Sequence, residues 1–203
     1  MPGKPLGAHF RSVREMFDPT AASPGAVGRN FDLGDALQPV LDDTKEPMPA
    51  RAVGSAKKRF AAGDVVTSRL RAYLRETALV RTTAAVPSVG SSEFIVLRPH
   101  DPERPSLSQA ALLAFLRSHP VQTILQWSQD GSHHPRYGDD DLLAIPVPDA
   151  VCTAAPRIDA LIESILLARA RARTLLAQAQ RAVEIAIEQN EAAALKSLST
   201  VSP

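Results

Sequence analysis

From Pro156 to about Lys196 the chain has no glycine and no further proline, and it is built mainly of Ala, Leu, Glu, Gln and Arg, the strongest helix formers. Pro156 suits a first helical turn, where its missing amide would have had no partner. About 40 residues at ~1.5 Å each make a rod of roughly 60 Å. Such a rod is too long to be buried on one small domain, so it demands a partner. Leu161, Ile165, Ala168, Ala172, Leu175, Ala179, Ala182 and Ala186 alternate spacings of three and four, the rhythm of a coiled-coil seam, and Ile158, Ile162, Leu176 and Val183 widen the stripe. The residues predicted to carry dimerisation are Leu161, Ile165, Ala168, Ala172, Leu175, Ala179 and Val183. Alanines along the seam imply close helix approach. Six cations against five carboxylates leave the exterior balanced, unlike a basic helix that reads DNA.

The other residues of the 203-residue chain suffice for one good core. With 44% apolar residues the chain is not disordered throughout, and the lack of an 18-residue apolar run excludes a spanning helix and a membrane partner. No cationic start precedes an apolar block, so a cytoplasmic location is expected. Cys152 is the lone cysteine and has no internal disulfide partner. The net charge of +1 does not announce a nucleic-acid binder, but its distribution is uneven. From Arg51 to Arg81 there are eight cations against Asp64 and Glu76. Cations clustered in a folded segment can neutralise several phosphates together; a solvated basic face is the competing reading.

Within that segment Gly63 and Asp64 suit a turn, and Val65-Val66-Thr67 favours an extended strand. Arg69 to Arg75 alternates cations with apolar residues. As a strand it would set Arg69, Arg71, Tyr73 and Arg75 on one face and Leu70, Ala72 and Leu74 on the other. Ala78 to Val80 and Phe94 to Leu97 are short strand-type runs expected to pair with Val65 to Thr67 in a small twisted sheet. Ser106 and Gln109 have capping-box spacing before a leucine-rich helix ending near Pro120. Val121 to Ser128 is expected to form a second helix with Ile124, Leu125 and Trp127 partly buried. Asp139 to Asp141 suit a helix start, Ile145 to Pro148 an extended boundary. Residues 1 to 50, broken repeatedly by proline, are expected to be irregular and loop-dominated.

Gly63-Asp64-Val65-Val66-Thr67-Ser68-Arg69-Leu70-Arg71-Ala72-Tyr73-Leu74 resembles a recurring stretch in the target recognition domain of type I restriction-modification specificity subunits, with Ala72 where such sequences often have proline. Ser91 to Pro99, a leucine-rich helix, and Leu142 to Pro148 before a long helix follow in that family's order. The Pro146 to Thr153 linker lacks the family's frequent Glu-Gln pair. The resemblance implies an α+β protein: a target recognition domain with a small twisted sheet and short helices at residues 1–150, then one long C-terminal helix that pairs as a coiled coil at 151–203. It implies a non-catalytic subunit that binds double-stranded DNA, uses no cofactor, and works with a methyltransferase subunit and a possible restriction subunit.

This chain carries one domain and one helix, half of that family's usual plan. A homodimer, or pairing with a second half-subunit, would place two readers on a bipartite site. The expected DNA-binding residues are Lys57, Lys58, Arg59, Arg69, Arg71, Tyr73 and Arg75, and, in the loop after the second helix, Ser132, His133, His134 and Arg136. The adjacent histidines lack a third ligand at defined spacing, so no metal is expected. Two other readings are a coiled-coil adaptor with a protein-binding globular part, and a hydrolase using His133 or His134 with Ser132. The latter has no nucleophile elbow or spaced triad.

Overall fold

The computed structural model describes residues 3–131 and 134–199. They divide into two compact units, 1–159 and 160–203. The first unit contains ten strands: β1 Phe10–Val13, β2 Met16–Phe17, β3 Val27–Phe31, β4 Val40–Asp42, β5 Met48–Pro49, β6 Lys57–Phe60, β7 Val65–Ser68, β8 Thr77–Arg81, β9 Ser88–Gly90 and β10 Phe94–Pro99. Its helices are α1 Gln109–Leu116, α2 His119–Trp127, α3 Asp139–Ala144 and the start of α4 Asp149–Glu188.

The strands form two five-stranded sheets, in the orders β1-β10-β7-β8-β4 and β2-β6-β9-β3-β5. β7 lies between β10 and β8, antiparallel to both, as its apolar run requires. β4 joins β8 and β3 joins β9 in parallel. The central strands are apolar on both faces, because both are covered. Val65, Leu79, Ile95 and Leu97 face a core with Leu112, Leu113, Leu116, Leu125 and Leu142 from the helices. Val66, Ala78, Val80, Phe94 and Val96 face Phe31 and Phe60 of the second sheet. The period-two alternation of strands produces this division. A smaller cluster of Phe17, Ala50, Val53 and Val89 includes residues from the second sheet.

The expected pairing of β7 with β8 and β10 is present, but the sheet is larger than the small one anticipated. Residues 1–50 are largely irregular, as expected, but they also hold the short strands β1 to β5; β1 to β4 find ladder partners beyond residue 50, and β5, which includes Pro49, pairs with β3. Helix α1 begins later than expected. Ser108 is its cap, with its hydroxyl accepting from the Ala111 amide at 3.1 Å, while the Ser106 hydroxyl sits 2.8 Å from His9 Nδ1. Pro120 falls in the first turn of α2 instead of closing α1. Ile145 to Val147 is extended and bonds back to the N-terminal segment, Leu6 N to Ile145 O and Val147 N to Lys4 O. Ser108 also donates to Asp159 of α4 at 2.5 Å.

The long helix starts at Asp149, before Pro156, which lies inside it, and stops at Glu188 rather than continuing to Lys196. Chain turns at Gln189 and Asn190, and the Asn190 side chain caps α5, Glu191–Ser199, by accepting from the Ala193 amide at 2.9 Å. Asparagine's side chain competes for backbone bonds, which favours a cap over a helix interior. In the second unit only Ala182 and Ala194 are buried among the described residues. Among those residues no helix is long and apolar enough to cross a membrane.

Gly90 shows how tightly the two sheets meet. A Cβ built there would lie 2.2 Å from Phe60 Cζ and 3.2 Å from Phe31 O. The Phe60 ring, edge-on to Phe94 at 5.6 Å, has no room to give way. Gly90→Ala is expected to destabilise the domain by about 1–3 kcal/mol, the usual cost of overpacking, and chemical denaturation of the purified chain measures it.

Candidate nucleic-acid interface

Arg69 to Arg75 is not a strand. Leu70 makes a single bridge to Arg136, and Ala72–Leu74 closes a 3-10 turn flanked by left-handed residues, Arg71 (φ 47°) and Arg75 (φ 54°). Non-glycine residues in that region are strained by about 1–2 kcal/mol each, so the surroundings must hold the turn in place. The alternation in sequence survives in part as orientation: Ala72 is buried in the helical core, while Arg71, Tyr73 and Arg75 are exposed. Leu74, expected to pack, is exposed instead. Helix α2 lies against this turn, with Val121 and Leu125 sharing the core of Ala72.

The loop after α2 is tied to the same segment. Asp130 and Arg136 exchange backbone bonds at 2.9 Å, Tyr137 N donates to Arg69 O at 3.3 Å, and Gln129 Nε2 donates to Pro135 O at 3.0 Å. Tyr137 is buried, and its hydroxyl donates to Ser68 O at 2.7 Å. Burial drives the Tyr137 pKa upward, so the ring stays neutral. Arg136 and Tyr137 are therefore tied by their backbone to Leu70 and Arg69 at the start of the arginine segment.

Asp139, the first residue of α3, holds Arg69 and Arg14. Its side chain is 5% exposed. The carboxylate accepts from Ser12 Oγ at 2.7 Å, from Arg14 Nε and Nη2 at 3.3 and 3.2 Å, and from Arg69 Nη2 at 2.7 Å. Burial works to raise its pKa, yet the Ser12 bond and the charges of Lys58, Arg69 and Arg14 together prevail and hold it below the ordinary carboxylate value. Neighbouring Asp141 accepts from the Gly138 amide at 2.8 Å, so the expected helix start at the aspartates is present and divides their work. A second pair, Arg136 with Glu93, is bidentate at 2.7 to 3.2 Å, and the Arg136 bonds hold Glu93 below its usual pKa.

The predicted contacts separate into distinct environments. Lys58 is buried and donates to Phe94 O at 2.6 Å; desolvation lowers its pKa, against the attraction of Asp139. It is thus a structural cation with its charge spent inside the fold, because Lys58 and Phe60 point inward from β6. Lys57 and Arg59 point the other way along that strand; Arg59 lies over the Phe17 ring at 5.1 Å and donates to Met16 O. Arg69 is half-buried on Asp139, and Arg136 is exposed but paired with Glu93. Arg71, Tyr73, Arg75 and His134 are exposed beside one another's segments, and among the described residues no ion pair engages Arg71 or Arg75. Ser132 and His133 lie outside the described residues.

Three participants were not foreseen from sequence: Arg14, which joins the Asp139 cluster, Asp139 itself as an anion that organises cations, and Trp127, which is 84% exposed rather than partly buried. Trp127 follows Ile124 by three residues on the outward side of α2, opposite Val121 and Leu125. Among the described residues no group of three or more His, Cys, Asp or Glu is placed to hold a metal ion.

Removing the Asp139 charge leaves Arg14, Arg69 and Lys58 facing each other over a buried position. Asp139→Asn should cost about 1–3 kcal/mol of unfolding free energy, less than breaking a fully buried pair because the Arg14 side chain is 75% exposed and water screens it. The depressed carboxyl stabilises the fold above its unfolded value of about 3.9 and loses that contribution as pH falls through the lower folded value. Thermal melts between about pH 5 and 2 should therefore show a shallower acid decline in Asp139→Asn than in the parent chain.

No family model matches the chain, and no curated protein matches it in sequence. Solved structures do. A chain from a structural study of complex assembly and conformational transition of the type I restriction-modification system is 24% identical, with a TM-score of 0.60, over 91% of this chain and 47% of that one. The HsdS subunit from Thermoanaerobacter tengcongensis is 23% identical, with a TM-score of 0.54, over 87% of this chain and 49% of its own. The chain spans about half the length of these neighbours. Its α+β domain followed by a long helix is therefore the fold of type I restriction-modification specificity subunits, in about half of their length.

Proposed function

We propose that the chain is a half-size, non-catalytic DNA-recognition subunit of a type I restriction-modification methyltransferase or endonuclease, and that it dimerises through α4 to read a bipartite site. The observation that carries the reading is the Arg71–Arg75 turn. Strained backbone, a buried carboxylate and a second loop all serve to hold two unpaired guanidinium groups and a tyrosine at the surface, and packing alone gives no reason for that arrangement. Arg14, Arg71, Arg75 and His134 supply phosphate capture; Arg69 and Arg136, held by Asp139 and Glu93, are restricted in rotamer and suited to directional contacts with DNA. Lys57 and Arg59, on the outer side of β6, would extend the footprint. Lys58, Ser12 and Asp139 would act by positioning.

The dimer reading rests on α4. Leu161, Ile165, Leu175 and Val183 are 48 to 64% exposed, and Ala168, Ala172 and Ala179 are exposed with them. An apolar seam at heptad spacing without cover fits a second helix. Methylation and cleavage would then belong to separate modification and restriction subunits that join this one.

Duplex binding measured by fluorescence anisotropy over about 50–200 mM salt tests the reader. Each phosphate contact contributes nearly one unit to the slope of log K against log salt, so Arg71→Ala with Arg75→Ala should lower that slope by about 2. An equal slope in parent and variant would remove the turn from the interface. Selection of bound oligonucleotides from a random pool should return two half-sites at a fixed gap, related by inversion for a homodimer. Leu175→Glu with Val183→Glu should reduce the sedimenting species to a single chain and the selected motif to one half-site.

A further inference from the structure

Trp127 is an anomaly that phosphate capture does not use. Large aromatics usually bury most of their surface, yet this indole is 84% exposed at the end of a helix whose other face is in the core. Ile124, on the same side of α2, is 40% exposed, and Tyr73, on the turn that α2 packs against, is 58% exposed. Gln129, two residues beyond the indole, reaches Arg69 O at 3.5 Å, which binds the end of α2 to the arginine segment. The turn on which α2 packs carries the exposed Arg71 and Arg75, and the loop after α2 carries His134, the Glu93-paired Arg136 and the exposed carboxylate Asp130.

An exposed indole on a helix that packs against a turn carrying two guanidinium groups, neither in an ion pair among the described residues, matches the chemistry of unstacked nucleic-acid bases, whose π-faces stack on a ring while cations hold the flanking phosphates. An apolar protein ligand would make no use of the cations. We infer that Trp127 is a stacking platform for a base displaced from the duplex, so that binding distorts DNA as well as reading it. A fully paired duplex offers no free base face, so an unstacked base is the occupant. This inference rests on the DNA-binding reading above.

Trp127 is the sole tryptophan, so its emission reports on this one place. Three labelled probes suffice: a mixed-sequence paired duplex, the same duplex with a central run of mismatches, and a thymidine homopolymer strand. The platform predicts strong quenching of Trp127 by the last two, and binding of the mismatched duplex roughly 5- to 100-fold tighter than of the paired one. Trp127→Ala should abolish that preference while leaving the melting temperature unchanged; Trp127→Phe should keep most of the preference. Binding of all three probes with unchanged emission, or a preference that survives in Trp127→Ala, overturns the platform and leaves the DNA reading standing. Failure to bind any of the three at low salt overturns the DNA reading, and the platform with it.

Discussion

A single buried carboxylate decides where the positive charge of this domain goes. Asp139 collects Ser12 and Arg14 from the first strand and its end, Arg69 from the segment after β7, and the field of Lys58 from β6. Without that anion the buried Lys58, the half-buried Arg69 and the exposed Arg14 would be left without the carboxylate that offsets their mutual repulsion. With it, the chain after Ser68 is anchored and can turn sharply, and the cost of two left-handed arginines is met by the surrounding bonds. The exposed guanidinium groups are thus a consequence of a buried one being satisfied.

A second constraint sets the scaffold. The sheet β1-β10-β7-β8-β4 is covered on both faces, by helices on one side and by the second sheet on the other. A strand in that position must be apolar throughout, and Val65-Val66 and Phe94 to Leu97 are. Register cannot slip by one residue without exchanging two differently shaped cores. The rigid result is a platform against which irregular segments can be held, which is the usual division between a scaffold and the loops that act from it.

The parts legible in the sequence were those with strong local signals: the continuous apolar runs of β7, β8 and β10, the glycine and aspartate turn before β7, the aspartates opening α3, and a long glycine-free helix. The missed parts depend on distant partners. The strands before residue 50 are two to five residues long, too short for periodicity to register; β10, β6, β9 and β8 offer ladders to β1 to β4, and β3 offers one to β5. Arg69 to Arg75 carries a true period-two pattern, but a strand there would need a neighbour, and β7 has already filled both of its edges. The charge of Lys58 was read as surface because sequence does not reveal that Phe94 O and Asp139 wait inside. At the other end, Gln189-Asn190 carried the signal that the rod stops early, in the asparagine that caps α5.

The rod raises a separate physical question, since helix propensity alone is a weak source of stability. Nucleating a helix is costly, and most helices in proteins persist because one face is packed. In the second unit only Ala182 and Ala194 are buried among the described residues, while Leu167, Leu175, Leu176, Val183 and Ile187 are each more than half exposed. Good helix formers such as Ala, Arg, Gln and Glu maintain the backbone conformation, and the exposed Arg181–Glu184 pair at 2.9 Å adds little in water. Neither accounts for the leucines and isoleucines. Had selection required only a soluble spacer, polar residues at those positions would serve as well; the proposed partner helix would account for a stripe of branched aliphatics next to small alanines. In the proposed dimer a second copy would supply that surface without any further component, because a self-complementary seam needs only the two-fold operation that relates two identical helices.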